Sequence, residues 1–209
     1  MAEDGKRNIA VFDFDGTITK RDTLAPFLLK FAGFTRSFTS AIRHAPGMVS
    51  AAIGVGDRDE AKEKYLISLI GGRAESELIG AGIEYAALVL REERFNAAVI
   101  ERLAWHRAEG HEIVVISASL DVYIQSIAAA LGATKAFGTE IEVEAGLLTG
   151  RLQGGNVRAG NKVQRLDEWL SGDHSEIWAY GDSSGDDELL ERSDHPHRVK
   201  NGEIKALHL

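Results

Sequence analysis

Ile9-Ala10-Val11-Phe12-Asp13-Phe14-Asp15-Gly16-Thr17 is the stretch on which the reading of this chain turns. Four apolar residues ending abruptly in a carboxylate read as a buried strand whose carboxyl end opens into a polar loop. Two carboxylates placed two apart at such a strand end bring one side chain forward as a nucleophile or metal ligand, and Gly16 lets the backbone turn close to a ligand. A surface turn with solvated acids is the plainer alternative, and the rest of the chain decides between them.

Working outward, Ile113-Val114-Val115-Ile116 ending at Ser117 and Ile177-Trp178-Ala179-Tyr180 ending at Gly181-Asp182 repeat the pattern. Ala136 to Ile141 reads as an edge strand, and Arg198-Val199 closes the set. Helical patterns lie between them at Phe95 to Glu109, Val122 to Leu131, Lys162 to Leu170 and Asp186 to Arg192. This alternation predicts an α/β fold, a Rossmann-like parallel sheet of roughly five strands joined by right-handed crossovers. Ligands bind such sheets beyond the carboxyl ends of the strands, so Asp13, Ser117 and Asp182 are expected at one edge. From about residue 23 to 92 the alternation stops: Leu24 to Phe31, Ala61 to Ile70 and Glu75 to Leu90 are helical patterns without a clear strand. The expected organisation is an α/β core of residues 1–22 and 93–209 carrying an inserted helical cap of 23–92. Around Glu144-Ala145-Gly146, Thr139-Glu140-Ile141 and Leu148-Thr149-Gly150 suggest a small hairpin.

The 209 residues, 44% hydrophobic and 27% charged, have the composition of a globular protein. There is no cysteine, so any metal must sit on oxygen or histidine. A net charge of −8 argues against a broad nucleic-acid-binding face, which needs clustered Lys and Arg. The most apolar internal stretch, Ala45 to Val55, is interrupted by Pro46, Gly47 and Gly54 and is far short of the roughly 20 residues of a membrane span. The N-terminus has two acids before its first bases and no apolar stretch of signal-peptide length, which places the chain in the cytoplasm.

Gly181-Asp182-Ser183-Ser184-Gly185-Asp186-Asp187 is a second acidic loop between a strand and a helix. Ser184 with Asp187 three later suits a helix cap, but capping does not account for Asp182. Oxygen ligands from Asp13 and Asp182 describe a Mg²⁺ site. A phosphate dianion beside those two carboxylates would require such a cation, since one like-charge pair at about 4 Å costs about 4 kcal/mol at an effective dielectric of 20. Ser117 offers a hydroxyl, and the N–H groups that follow it at Ala118 and beyond face the same way; a plain helix cap is the other reading of that serine.

Taken together, Asp13-x-Asp15-Gly16-Thr17, Ser117, Lys162 and Gly181-Asp182-x-x-x-Asp186 resemble, in order and spacing, the four-motif signature of the haloacid dehalogenase (HAD) superfamily over residues 9 to 200. The position of the helical insert is that of the phosphoserine-phosphatase-like branch. The resemblance implies a Mg²⁺-dependent phosphatase with Asp13 as nucleophile and Asp15 as general acid and base. It further implies Asp13, the Asp15 backbone carbonyl and Asp182 as metal ligands, Asp186 behind them, and Ser117 and Lys162 on the transferring phosphoryl group. The dehalogenases lack the second aspartate of the first motif, so Asp15 favours phosphoryl chemistry.

The sequence departs from phosphoserine phosphatases at Ala118-Ser119, where they have a glycine pair, and at Gly185, where they have asparagine. Asp22 matches their amine-recognising glutamate in position. No arginine in Lys62 to Leu69 matches their carboxylate-binding one, though Lys62 or Lys64 could turn inward. The tail, with His197-Arg198-Val199 and Gly202-Glu203, also resembles bacterial phosphatidylglycerophosphate phosphatases. The expected partner is therefore a small phosphorylated metabolite or a lipid phosphate. A non-catalytic phosphate-binding protein on this fold would be marked by loss of a first-motif carboxylate, and both are present.

Overall fold

The computed structural model describes residues 7–52, 58–92, 94–172 and 176–207. The leading residues 1–6, the end of the Ala45–Val55 stretch and the expected boundary at 93 lie outside the described residues. The chain runs β1 (Asn8–Phe12), α1 (Leu24–Ala32), α2 (Phe34–Ala52), α3 (Arg58–Ile70), α4 (Glu75–Arg91), α5 (Ala97–Ala108), β2 (Glu112–Leu120) and α6 (Asp121–Ala130). There follow β3 (Lys135–Glu144), β4 (Leu147–Gln153), α7 (Gly160–Leu170), β5 (Glu176–Gly181), α8 (Asp187–Arg192), β6 (His195–Lys200) and β7 (Glu203–Ala206).

The sheet has seven strands in the order β4-β3-β2-β1-β5-β6-β7: the five parallel strands expected, with one more at each edge. Strands β3, β2, β1, β5 and β6 are parallel, while β4 and β7 pair antiparallel at the two edges. Hairpin strand β4 thus covers β3, so the Ala136–Ile141 segment is interior rather than an edge. Strand β1 is central and buried on both faces, which is why it reads as an unbroken apolar run. Its alternate side chains divide between two cores. Ala10 and Phe12 join Ile113, Val115 and Tyr180 under α5 and α6, while Ile9 and Val11 join Val114, Ile116 and Ile177 under α7 and α8.

Helices α1 to α4 follow β1 without an intervening strand. α3 packs on β4, and α4 on α6. Chain leaving β1 and chain returning to α5 are zipped together: Thr19 bridges Phe95, the Lys20 N–H donates to Arg94 O, and the Asn96 N–H donates to Ile18 O. Side-chain Asn96 Nδ2 adds bonds to the carbonyls of Gly16, Thr17 and Thr19. Among the described residues no helix is long and apolar enough to cross a membrane.

Candidate active site

Three adjacent strands bring the chemistry together. Asp13 follows β1 directly and Asp182 follows β5. Ser117 lies inside β2, not after it, because that strand continues to Leu120 through a register shift after Ile116. Asp13, Asp15, Asp22, Ser117, Ala118, Lys162, Asp182 and Asp186 all line one cleft of about 150 Å³. Every site residue expected from the sequence therefore converges there.

Asp13 is 6% exposed. Its Oδ1 accepts from Lys162 Nζ at 2.5 Å, and its Oδ2 from Thr17 Oγ1 at 2.9 Å. Burial pushes its pKa up to about 7, against the pull of Lys162. Lys162, 2% exposed, also donates to Asp186 Oδ1 at 2.6 Å. Burial alone would lower the ammonium's pKa, but the two carboxylates outweigh it and hold the value above the ordinary one. A lysine at the first turn of α7 is thus a buried ion-pair centre rather than a solvated helix start.

Asp15 is held between the residue preceding α1 and the end of β2. Its Oδ1 accepts from the Thr23 N–H at 2.6 Å and the Thr23 hydroxyl at 2.7 Å, and its Oδ2 from the Ser119 hydroxyl at 2.5 Å. Burial raises its pKa, while the Ser119 and Thr23 bonds oppose the rise. Thr23 is itself fixed by Tyr85, which donates to its carbonyl at 2.9 Å, and by Tyr123, whose hydroxyl lies 3.2 Å from its own. The orientation of Asp15 therefore depends on aromatic residues from α4 and α6.

Asp13, Asp182 and Asp186 each offer a carboxylate oxygen, and these atoms lie within 4.8 Å of one another. Asp186 is already committed: Oδ1 to Lys162, and Oδ2 to the Ser183 N–H at 3.0 Å and the Ser183 hydroxyl. The capping pair is thus Ser183 with Asp186, one residue earlier than expected. Asp187 instead pairs with Arg198 at 2.5 Å. Asp182 is exposed; its carboxylate is met by its own backbone N–H and the Ser183 hydroxyl, and burial still raises its pKa. Gly16, at φ +82°, is the only kind of residue that fits beside it, since a Cβ there would lie 2.7 Å from Asp182 Cγ. An all-oxygen donor set that includes one exposed carboxylate fits a hard divalent cation such as Mg²⁺.

Around Ser117, the Ser119 N–H donates to Ser117 Oγ at 3.0 Å and is not available to a ligand, which leaves the serine hydroxyl proton and the Ala118 N–H. Asp22 stands at the rim with Oδ2 accepting from the Ala25 N–H at 2.9 Å, capping α1. Of the two lysines that could turn inward, Lys64 is exposed and paired with Glu60. Lys62 does turn in, donating to Ala118 O at 2.7 Å and Asn156 Oδ1 at 2.5 Å. Its pKa is lowered to about 8, chiefly by burial. Sequence reasoning missed Ser119 and Arg158, which also line the cleft. The departure at Ala118-Ser119 was the available signal for the first, and no signal marked the second.

The sequence profile of the haloacid dehalogenase-like hydrolases matches residues 10–191. Protein CicA of Caulobacter vibrioides is 33% identical over 202 residues, covering 93% of this chain and 87% of the relative. A phosphoserine phosphatase of Archaeoglobus fulgidus is 22% identical over 90% of this chain and 51% of its own length. A solved phosphoserine phosphatase, held as a phospho-aspartyl intermediate analogue, superposes with a TM-score of 0.62 at 18% identity, covering 90% of this chain and 84% of that one, a likeness of fold. With the sheet order, the inserted helices and these matches in agreement, the chain belongs to the haloacid dehalogenase-like hydrolases.

Proposed function

We propose that the protein is a Mg²⁺-dependent phosphatase that hydrolyses a phosphomonoester through an aspartyl-phosphate on Asp13. The observation that carries this reading is the clustering of Asp13, Asp182 and Asp186 donor atoms within 4.8 Å beside a buried lysine. Asp13 Oδ attacks phosphorus, and its bond forms as the ester P–O bond breaks. Asp15, kept protonated to higher pH by burial, delivers its proton to the departing alcohol oxygen. The same carboxylate then takes a proton from water, whose oxygen attacks phosphorus and releases phosphate from Asp13. Lys162 and the Ser117 hydroxyl hold the equatorial oxygens in both steps. Asp13, the Asp15 carbonyl and Asp182 would hold Mg²⁺, which when bound supplies the positive charge a dianion needs to enter this acidic cleft. Residues 23–92 act as a cap domain on the core of 1–22 and 93–209, with Lys62 of α3 reaching the core at Ala118. The substrate is a small phosphorylated metabolite, and the place of action is the cytoplasm.

Turnover of p-nitrophenyl phosphate should require Mg²⁺ and stop in EDTA. Asp13→Asn should abolish turnover and beryllium fluoride trapping, whereas Asp15→Asn should fold and still bind metal. Undiminished turnover in excess chelator, or a near-normal rate for Asp13→Asn, would overturn the reading.

A lipid phosphate is the second reading. Phe34, Phe38 and Ile42, one turn apart on α2, are 74%, 56% and 62% exposed, a stripe suited to a membrane surface. Phosphoserine itself has less support, because Asp22 caps α1 and Lys62 is spent on two neutral oxygens. A k_cat/K_M screen of amino-acid, sugar, nucleotide and lipid phosphomonoesters separates these substrates.

A further inference from the structure

Resting on that phosphatase reading, we propose that Arg158 is a phosphoryl-binding residue of this site, and that Gly185 is glycine to make room for it. Besides Lys162, Arg158 is the only basic side chain lining the cleft among the described residues, and it shares that lining with Asp13, Asp15, Asp22, Asp182 and Asp186. Lys162 is divided between Asp13 and Asp186, so one of its three N–H donors is left for a phosphoryl oxygen and its charge is shared with two carboxylates. The half-buried guanidinium of Arg158, by contrast, has no hydrogen bond or ion pair among the described residues. A fork of donors left open at the mouth of an anionic cleft suits a phosphate dianion, whose oxygens accept it bidentately.

Gly185 shows that this placement is built. Its φ is not among the positive values, so its backbone does not call for glycine. It is nevertheless buried, because the Arg158 side chain lies over it: a Cβ at 185 would come 3.0 Å from Arg158 Nε and 3.2 Å from its Cγ. A methyl at 185 would make the arginine give by a few tenths of an ångström, and a larger side chain would stand where it lies. The two segments are also tied through the backbone, with the Ala159 N–H donating to Gly185 O at 2.9 Å and the Arg158 N–H to Asn156 O at 2.8 Å. Ala159 holds the strained combination φ +53°, ψ −133°. Backbone strain of this kind persists where surroundings over-determine it, and here it turns the chain from Arg158 into α7 and Lys162.

The test uses the Mg²⁺-loaded protein with p-nitrophenyl phosphate as substrate and inorganic phosphate as calorimetric ligand. Arg158→Ala should lower k_cat/K_M about 10- to 100-fold and weaken phosphate binding by a similar factor, as loss of a charge-assisted contact does. Arg158→Lys should recover only part of each. Gly185→Leu should lower both readouts in the same direction as Arg158→Ala, and the double variant should be no worse than the single arginine variant, because both act on one guanidinium. Arg158→Ala within about twofold of wild type on both readouts would overturn the inference and leave the phosphatase reading intact. So would losses seen only with substrates that carry a second anion, for then Arg158 reads the leaving group. Wild-type protein that neither turns over nor binds phosphate would instead refute the phosphatase reading, and this inference with it.

Discussion

Gly16→Ala isolates what the first loop requires of its glycine. Two costs are separable. At φ +82° an L-residue is strained by about 1–2 kcal/mol, which for a chain of this size lowers Tm by roughly 2–8 °C. The new methyl would also stand 2.7 Å from Asp182 Cγ, whereas carbon atoms rest about 3.5–4.0 Å apart, so the carboxylate must retreat by about 1 Å. Misplacement on that scale costs about 100-fold in rate where a group is positioned for catalysis. Thermal unfolding in EDTA reads the first cost. Mg²⁺ titration of p-nitrophenyl phosphate turnover reads the second, as a lower k_cat/K_M and a higher half-saturating Mg²⁺ concentration. A variant that loses Tm yet keeps wild-type turnover and Mg²⁺ dependence would refute the claim that the close approach of Asp182 dictates glycine.

Ser119→Ala removes a hydroxyl that lowers the pKa of Asp15, so that pKa should rise further and the alkaline limb of the k_cat/K_M profile should move to higher pH; an unmoved limb would refute the contact's role. His106 is fully buried between His111 and Tyr180, and burial lowers its pKa from 6.5 to about 3. Between those values the unfolded chain binds the extra proton, so stability should fall with decreasing pH by about 1.4 kcal/mol per pH unit for this group. His106→Gln should flatten that slope in urea titrations, and an unchanged slope would locate the proton uptake elsewhere. Lys62→Met breaks the bonds from α3 to Ala118 O and Asn156 Oδ1 and should cost about 1–2 kcal/mol, or roughly 2–8 °C in Tm; an unchanged Tm would mean that the contact contributes nothing net.

Strands β1, β2 and β5 were legible because both their faces are covered, so each appears as an apolar run ending in a polar residue. The edge strand β7 was not: Glu203-Ile204-Lys205-Ala206 is largely exposed and carries too little pattern to notice. Helix α2 escaped for a related reason. Its Phe34, Phe38 and Ile42 face outward, and Pro46 with Gly47 reads as a break although the helix runs through them. In the site, Asp13 and Asp182 were found at strand ends, Asp15 two residues beyond the first, and Asp186 through the family resemblance. Arg158 was not, because nothing local distinguishes an arginine in a loop; only its contact with Gly185, distant in sequence, gives it meaning. Lys62 was visible as a candidate cation, but its partners are a carbonyl and an amide from other parts of the chain.

The zipped crossing near Thr19 and Phe95 bears on how such a protein can diversify. Outgoing and returning chain lie side by side, roughly 5 Å apart as paired strands are, so everything between them hangs from a single doorway. A gene segment encoding that excursion can be exchanged at two junctions without altering the order of the sheet or the turn that carries Asp13. Asn96, bonded to the carbonyls of Gly16, Thr17 and Thr19, keeps the doorway itself rigid. Selection can then act on the excursion while Asp13, Lys162 and Asp182 stay in place, provided that each replacement again supplies the Thr23 and Tyr85 contacts that orient Asp15.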